Sequence, residues 1–548
     1  MLTNSQVADV FSLLGKLMDI HGENPFKAKS YSAAAFAIDK LPVPLTEIAP
    51  GAYASYKGIG DSAARKITEL LQTGTLRELA TLVDRTPEGV LEMLRIKGLG
   101  PKKIATIWKE MEIESLGELL YACNENRLLR YKGFGEKTQA AVKESIEYYL
   151  RHKNIYLYAD VESYAQAVQK QLEQQFPGER FQLTGELRRQ LEIIQHLEWV
   201  TTVPVKHLEA FLLVHGFETS EINTVVLKVK GPENICLLFY PATALNFGST
   251  LFGTSAAPAF LEAWGPVEAA AEETAVFSAR QQPFVPPFLR ETPGCTFPDG
   301  LVTTSSIRGI IHSHSQWSDG THTLEEMAQE CMRRGWEYLV ISDHSKSAGY
   351  ANGLSVERIR EQHRQIDELN KKLYPFRIFK SIESDILGDG SLDYEDHVLQ
   401  TFDLVIASVH SNLRMTEEKA MQRLLRAIAH PATTILGHMT GRLLLSRPGY
   451  PVNHQTIIDA CVEHNVVIEL NAHPRRLDID WRWIPYALEK GALLSINPDA
   501  HEPEGFNDVR YGVLAAQKGG LTASRNLSSF NREEFENYLA GVRNRKNT

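Results

Sequence analysis

Ten side chains of the C-terminal half are of types that bind metals or move protons. "HSHSQWSDG" supplies His312, His314 and Asp319, and "ISDH" supplies Asp343 and His344. "SIESDI", "ASVH" and "LGH" supply Glu383, His410 and His438, and "NPDAH" supplies Asp499 and His501. The H-x-H and D-x-H spacings have period two, which sends both side chains to one face of an extended chain. So many carboxylates gathered in one cavity repel each other and are costly to desolvate unless cations hold them together. The set has ligands enough for two or three divalent ions, and its mixed N/O character suits Mn²⁺, Zn²⁺ or Fe²⁺ better than Ca²⁺. Clustered ions acidify water, neutralise phosphoryl oxygens and clamp a leaving oxygen, so the expected chemistry is phosphoester hydrolysis.

Nearly all of these residues directly follow a short apolar run: "GII", "YLVI", "RIFKSI", "LVIAS", "TTIL", "ALLSI". Helical stretches such as "EEMAQECMRRG" and "EEKAMQRLLRAIAH" lie between them. Repeated β-α units over about 240 residues predict a parallel barrel, with a doubly wound sheet as the second reading. In a parallel barrel the strand C-termini meet at one mouth, so residues far apart in sequence arrive in one cavity. His312, His314, Asp343, His344 and Arg442 are the candidates for catalysis. Lys346, Arg442, Arg447 and Arg476 are candidates for holding a substrate phosphate, because lysine and the arginine fork bind its oxygens. His473, at the end of "VVIELNAH", is placed to line the cavity. His363, His397, His430, His454 and His464 lie in helical or loop contexts and are expected at the surface.

Residues 1–150 read as helical, with apolar residues recurring at helical spacing. Three segments there repeat one pattern: "YKGIGDSAARKI", "IKGLGPKKIATI" and "YKGFGEKTQAAV". The glycine pairs Gly58/Gly60, Gly98/Gly100 and Gly133/Gly135 permit a tight turn and a close backbone approach. The helix that follows each pair offers free N–H groups to an anion. Lys66, Lys102, Lys103 and Lys137 stand on those helices. This is the equipment of a helix-hairpin-helix that grips a DNA backbone without reading bases.

The ligand series resembles a polymerase-and-histidinol-phosphatase (PHP) domain, a distorted (β/α)7 barrel with a trinuclear metal site. That resemblance places ligands on His312, His314, Asp319, His344, Glu383, His410, His438, Asp499 and His501. The rest of the chain resembles bacterial family X DNA polymerases with a C-terminal PHP domain. "ENPFKAKSYSAAAFAI" is similar to the opening of their small N-terminal domain, and "EETAVFSARQQPFVPPFLRE" to the end of their thumb. The resemblance implies a small helical domain (1–80), a fingers-like domain with two further hairpins (81–150), an α/β nucleotidyltransferase-like palm (151–240) and a thumb (241–291). A linker (292–306) and the PHP domain (307–548) follow. Lys66 falls where some relatives carry a lyase lysine.

The palm departs from the family pattern. "GELRRQLEIIQHLEWV" keeps Gly185, Arg188 and Arg189, but Glu186 stands at the serine position and His196 and Glu198 at the Asp-x-Asp positions. The third aspartate is matched by Cys236, and the nucleotide-contacting motif survives only as "FGTS", out of order. Mg²⁺ prefers oxygen ligands, so this set predicts loss of synthesis. The expected activity is 3′→5′ exonuclease or 3′-end processing of DNA. The alternatives are a working repair polymerase and a small-molecule phosphatase of histidinol-phosphate type.

Composition bounds the rest. The 548 residues are 43% hydrophobic and 23% charged, an ordinary globular balance. The net charge of −10 excludes a uniformly basic nucleic-acid binder. Residues 1–153 carry 21 Lys and Arg against 19 Asp and Glu, leaving −12 on the remainder. The front end can therefore make local phosphate contacts while the acidic bulk suits cation binding. Five scattered cysteines form no C-x-x-C pair, so neither a disulfide framework nor a zinc ribbon is expected. No signal peptide or membrane span is read from the sequence, and a cytoplasmic monomer is expected.

Overall fold

A computed structural model describes residues 2–546 apart from 125–126, 152–154, Thr224, 232–234, 295–297 and 446–447. The chain forms two compact units, 1–153 and 154–548.

The first unit is helical. Its opening helix, Asn4–His21, starts on a capping box at Thr3 and ends on Gly22 in the left-handed conformation. The helices Asp61–Thr73, Pro101–Lys109 and Glu136–Arg151 each follow one of the Gly-apolar-Gly turns. The turns share one geometry. Gly58, Gly98 and Gly133 have φ of +94°, +88° and +95°, a region that favours glycine. Gly60 and Gly100 cap the next helix in extended backbone. The middle residues Ile59, Leu99 and Phe134 are buried as plugs, and at Gly60, Gly98, Gly100, Gly133 and Gly135 an added Cβ would meet nothing. The repeat thus buries its apolar residue and exposes its backbone.

In the second unit a five-stranded mixed sheet comes first. Phe181–Thr184 pairs antiparallel with Leu197–Thr201, which runs parallel to Cys236–Pro241. Leu227–Lys230 and then Glu218–Ile222 complete the sheet, both antiparallel. Trp199 and Phe239 stack 5.3 Å apart across its centre. Short helices, among them Phe247–Thr254, Pro258–Trp264 and Glu273–Ser278, follow the sheet.

Seven parallel strands then run in sequence order: Gly309–Ile310, Tyr338–Ile341, Arg377–Asp385, Leu404–Ser408, Ile435–Leu436, Val467–Asn471 and Leu494–Asn497. A parallel bridge from Ser313 to Ala500 joins the first strand's end to the last, and the amide of His314 donates to the Ala500 carbonyl at 2.8 Å. The sheet is therefore a nearly closed barrel, the first of the two architectures the sequence suggested. Its inner face changes character along the strands. Val340, Phe379, Leu404, Ile406, Ile435 and Val467 pack with Phe535 and Leu539 of the C-terminal helix Arg532–Lys546, which stops the barrel's N-terminal end. Two to six residues further along the same faces come Glu383, Asp385, Glu469 and Asn471. One end is an apolar plug and the other a polar mouth. Among the described residues no helix is long and apolar enough to cross a membrane.

Candidate metal centre

Three groups of side chains converge at the mouth: His314, Asp319, His344 and His501; His312, His314 and Asp499; His344, Glu383 and His410. Within each group the ligand atoms lie within 4.8 Å of one another. His314 and His344 each belong to two groups, so the three are one centre. Glu383 is its hub. Its Oε1 is 3.3 Å from His312 Nε2, 3.0 Å from His410 Nε2 and 3.1 Å from His438 Nε2, and its Oε2 is 3.0 Å from His344 Nδ1. Asp499 Oδ1 is 3.0 Å from His314 Nε2 and 3.3 Å from His312 Nε2. All nine of the ligands implied by the resemblance therefore meet.

The residues fit divalent ions on three counts. Two ligands of a tetrahedral ion at about 2.1 Å stand roughly 3.4 Å apart, which is the spacing found here. The buried atoms His312 Nε2, His314 Nδ1 and Glu383 Oε2 have no hydrogen-bond partner, which is costly unless a ligand meets them. The titration behaviour also asks for a cation. Burial works against protonation of His410, but Glu383 and Asp385 outweigh it and push the ring up to about 10. Burial and the neighbouring His501 and His344 hold His314 down at about 3, leaving it a neutral donor. His312 and Asp499 both have positive φ, +63° and +54°, local strain of the kind found where side chains must be aimed.

Around the ligands lies a carboxylate layer that the sequence reading missed. Glu469 Oε2 stands 2.6 Å from His312 Nδ1, and its Oε1 accepts from the His438 amide at 3.1 Å. Asn471 and Asn497 donate to Glu469 as well. Asp385 accepts from His410 Nδ1. Such partners fix ring orientation and raise ligand basicity. A signal existed for Asp385, which follows Glu383 at the same period-two spacing.

Several candidates have other work. Asp343, expected to be catalytic, is wholly buried and accepts from the amides of Ser315 and Ser318, both serine hydroxyls and Gln362. These bonds tie it to the loop that carries His314 and Asp319. Arg442 is also committed: it donates to Asp480 and to the carbonyls of Arg476 and Leu477. Arg476 does face the centre, its Nε 3.7 Å from Asp499 Oδ2. Lys346 is exposed beside His344, its Nζ over the Tyr394 ring at 5.3 Å. Arg447 lies outside the described residues. His473 is mostly buried, and Asp499 and His501 are among the charges that act on it. His363 and His454, expected at the surface, instead pack against Phe402 and Trp483, at 4.8 Å each.

Two family models match the first unit, a Helix-hairpin-helix domain over residues 2–76 and a SAM-like Helix-hairpin-helix tandem over residues 90–147. Along nearly the whole chain the sequence is 31% identical, over 569 aligned residues, to the DNA polymerase/3'-5' exonuclease PolX of Bacillus subtilis (strain 168). The alignment covers 97% of this chain and 99% of that protein. The chain belongs to the PolX family. A shorter match reaches a probable phosphatase of Thermoanaerobacter sp. (strain X514), 26% identical over 227 residues, 39% of this chain and 87% of that one. Another reaches a probable phosphatase of Caldanaerobacter subterraneus subsp. tengcongensis, 25% identical over 178 residues, 30% of this chain and 63% of that one.

Within this PolX chain the sheet residues at the polymerase positions are held by one another. Glu198 is buried on its strand and accepts from the Tyr240 hydroxyl at 2.7 Å. Its register partner is Leu238, whereas Cys236 pairs with Lys230. Tyr240 thus hydrogen-bonds Glu198, and the Glu198 charge also reaches Cys236. Arg188 makes two bonds to Glu273, at 2.8 and 2.7 Å, and one to Ser255 at 2.8 Å. Arg189 pairs with Glu291 at 3.1 Å. Both arginines that the sequence left open to a phosphate are occupied by carboxylates. The PolX hairpins show a similar division. Lys102 and Lys137 are exposed, but Lys103 donates to the Gly98 carbonyl at 3.2 Å and braces its own turn. Lys66 is paired with Glu78 and its side chain is only 14% exposed.

Proposed function

We propose that the chain trims DNA from the 3′ end at the barrel mouth, as a phosphoesterase using two or three divalent ions, Mn²⁺, Zn²⁺ or Fe²⁺. The observation that carries this is the single centre in which Glu383 touches four histidines, set in a chain whose front end carries three exposed-backbone hairpins. When bound, the ions supply acidified water and neutralise the phosphoryl oxygens. The protein's part is to hold and to aim. Glu469 and Asp385 orient the histidines, Asp343 fixes the His314–Asp319 loop, and Arg476, beside Asp499, and Lys346, exposed two residues after His344, are the cations offered to a phosphoryl oxygen. The hairpins grip the backbone through glycine-lined amides and Lys102 and Lys137, without regard to sequence. A small-molecule phosphatase has no use for those hairpins.

DNA synthesis is the second reading, and the name of the Bacillus subtilis relative favours it. The contacts that weigh on the other side are those of Glu198 with Tyr240 and of Arg188 and Arg189 with Glu273 and Glu291. One experiment separates these readings. The protein and His312→Ala are incubated with end-labelled single-stranded and gapped DNA and Mn²⁺, with and without dNTPs. Shortening that vanishes in the variant supports trimming. Extension with dNTPs establishes synthesis. Cleavage of small monoesters alone establishes the phosphatase.

A further inference from the structure

The loop that opens the polymerase-like motif is also the joint between sheet and barrel. The carbonyl of Arg189 accepts from Lys518 Nζ at 2.7 Å. Three residues on, Glu192 is 9% exposed and spends its whole carboxylate on the barrel. Oε1 accepts from Arg482 at 2.7 Å and Oε2 from the Trp481 indole at 3.1 Å. Arg482 also bonds Asp480, at 2.9 and 3.0 Å. Asp480 holds Arg442, and Arg442 Nε donates to the carbonyl of Arg476 at 2.8 Å. Arg476 then faces Asp499 of the metal centre. Every step in this run is charged or charge-assisted, the stronger class of hydrogen bond. The run does not stop at the surface of the barrel: it ends on Arg476, beside Asp499 at the mouth.

We propose that Glu192 is a positioning residue for hydrolysis in the barrel, holding the segment 473–483 so that Arg476 presents its fork to the substrate phosphate. This rests on the phosphoesterase reading. It gives the sheet a role in the barrel's chemistry that needs no nucleotide. A barrel from which the sheet had lifted would keep its ligands and lose the aim of Arg476.

A double-substitution cycle on the full Mn²⁺-loaded chain tests this, with end-labelled single-stranded DNA and bis(4-nitrophenyl) phosphate as substrates. Glu192→Ala is expected to lower kcat/KM about tenfold, carried by KM, a coupling of ordinary size. Arg476→Ala should do the same, and the double variant should be no worse than Arg476→Ala alone. Multiplying losses would overturn the proposal, as would an unchanged Glu192→Ala. Hydrogen exchange on the metal-free protein gives a readout apart from activity. Segment 473–483 should lose protection in Glu192→Ala while the barrel strands keep theirs, and Glu192→Gln, which keeps one acceptor oxygen, should restore part of it. Unchanged protection overturns the proposal. A wild-type chain that cleaves neither substrate refutes the phosphoesterase reading instead, and exchange still decides whether Glu192 holds the segment.

Discussion

Glu469 and His312 face each other at 2.6 Å, both wholly buried, with Glu469 on the sixth barrel strand and His312 just past the first. The carboxylate fixes which ring nitrogen of His312 is left for the centre. Glu469→Gln keeps the shape and removes the charge. Metal affinity should fall by about 10–100-fold, the usual cost of losing such a partner. Titration of the metal-free protein with Mn²⁺ measures it, and unchanged affinity would refute the orienting role.

His314 and His410 make a controlled comparison. His314 belongs to two of the three ligand groups and His410 to one. His314→Ala should therefore release more metal per chain than His410→Ala after equal dialysis, read by elemental analysis. DNA shortening should be abolished in the first and reduced in the second. Equal metal loss would mean that the groups do not bind separate ions.

The hairpin lysines separate gripping from bracing. Lys102 and Lys137 are exposed, while Lys103 is tied to Gly98. Each phosphate contact removed should flatten the plot of log affinity against log salt by about one unit of slope. Lys102→Ala combined with Lys137→Ala should lower the slope by about two without changing sequence preference. Lys103→Ala should instead lower the melting temperature. Fluorescence anisotropy over a salt series and thermal unfolding distinguish the two effects.

Asp508 makes a test of pH. Burial, then the charge of Glu502, pushes its carboxyl up to about 7. A folded pKa above the unfolded one means that the neutral form suits the fold. The stabilisation is complete below about pH 4 and is lost as pH rises through about 7. Asp508→Asn should remove that decline. At pH 8 the variant should be about 1 kcal/mol more stable than wild type, less than the full shift because the group keeps some water contact. Denaturant unfolding at pH 5 and pH 8 checks it: the gap should be small at the first and open at the second.

The metal ligands were legible because strand ends in a parallel barrel share a mouth, so residue type plus position sufficed for His312 through His501. The hairpins were legible because only glycine takes φ near +90° in three equivalent turns. Glu469 was not, since a glutamate inside "VVIEL" reads equally well as a solvent-facing strand residue. The bonding of Asp343 and Arg442, which sit beside ligand motifs, was not legible, because their partners come from distant segments: Gln362 for Asp343, Asp480 for Arg442. The occupied state of Arg188 was hidden for the same reason, as Glu273 lies 85 residues on.

The nearly closed barrel also makes the centre depend on its last strand. His314 and Asp499 share a ligand group although 185 residues separate them, and the bridge from Ser313 to Ala500 forms only when the last strand arrives. On a ribosome the early histidines must wait for residues made 185 positions later. A prematurely terminated product that stops short of Asp499 keeps its DNA-gripping hairpins but lacks a complete hydrolytic centre. Assembly of the centre therefore waits on translation of the last strand, however early its first histidines are made.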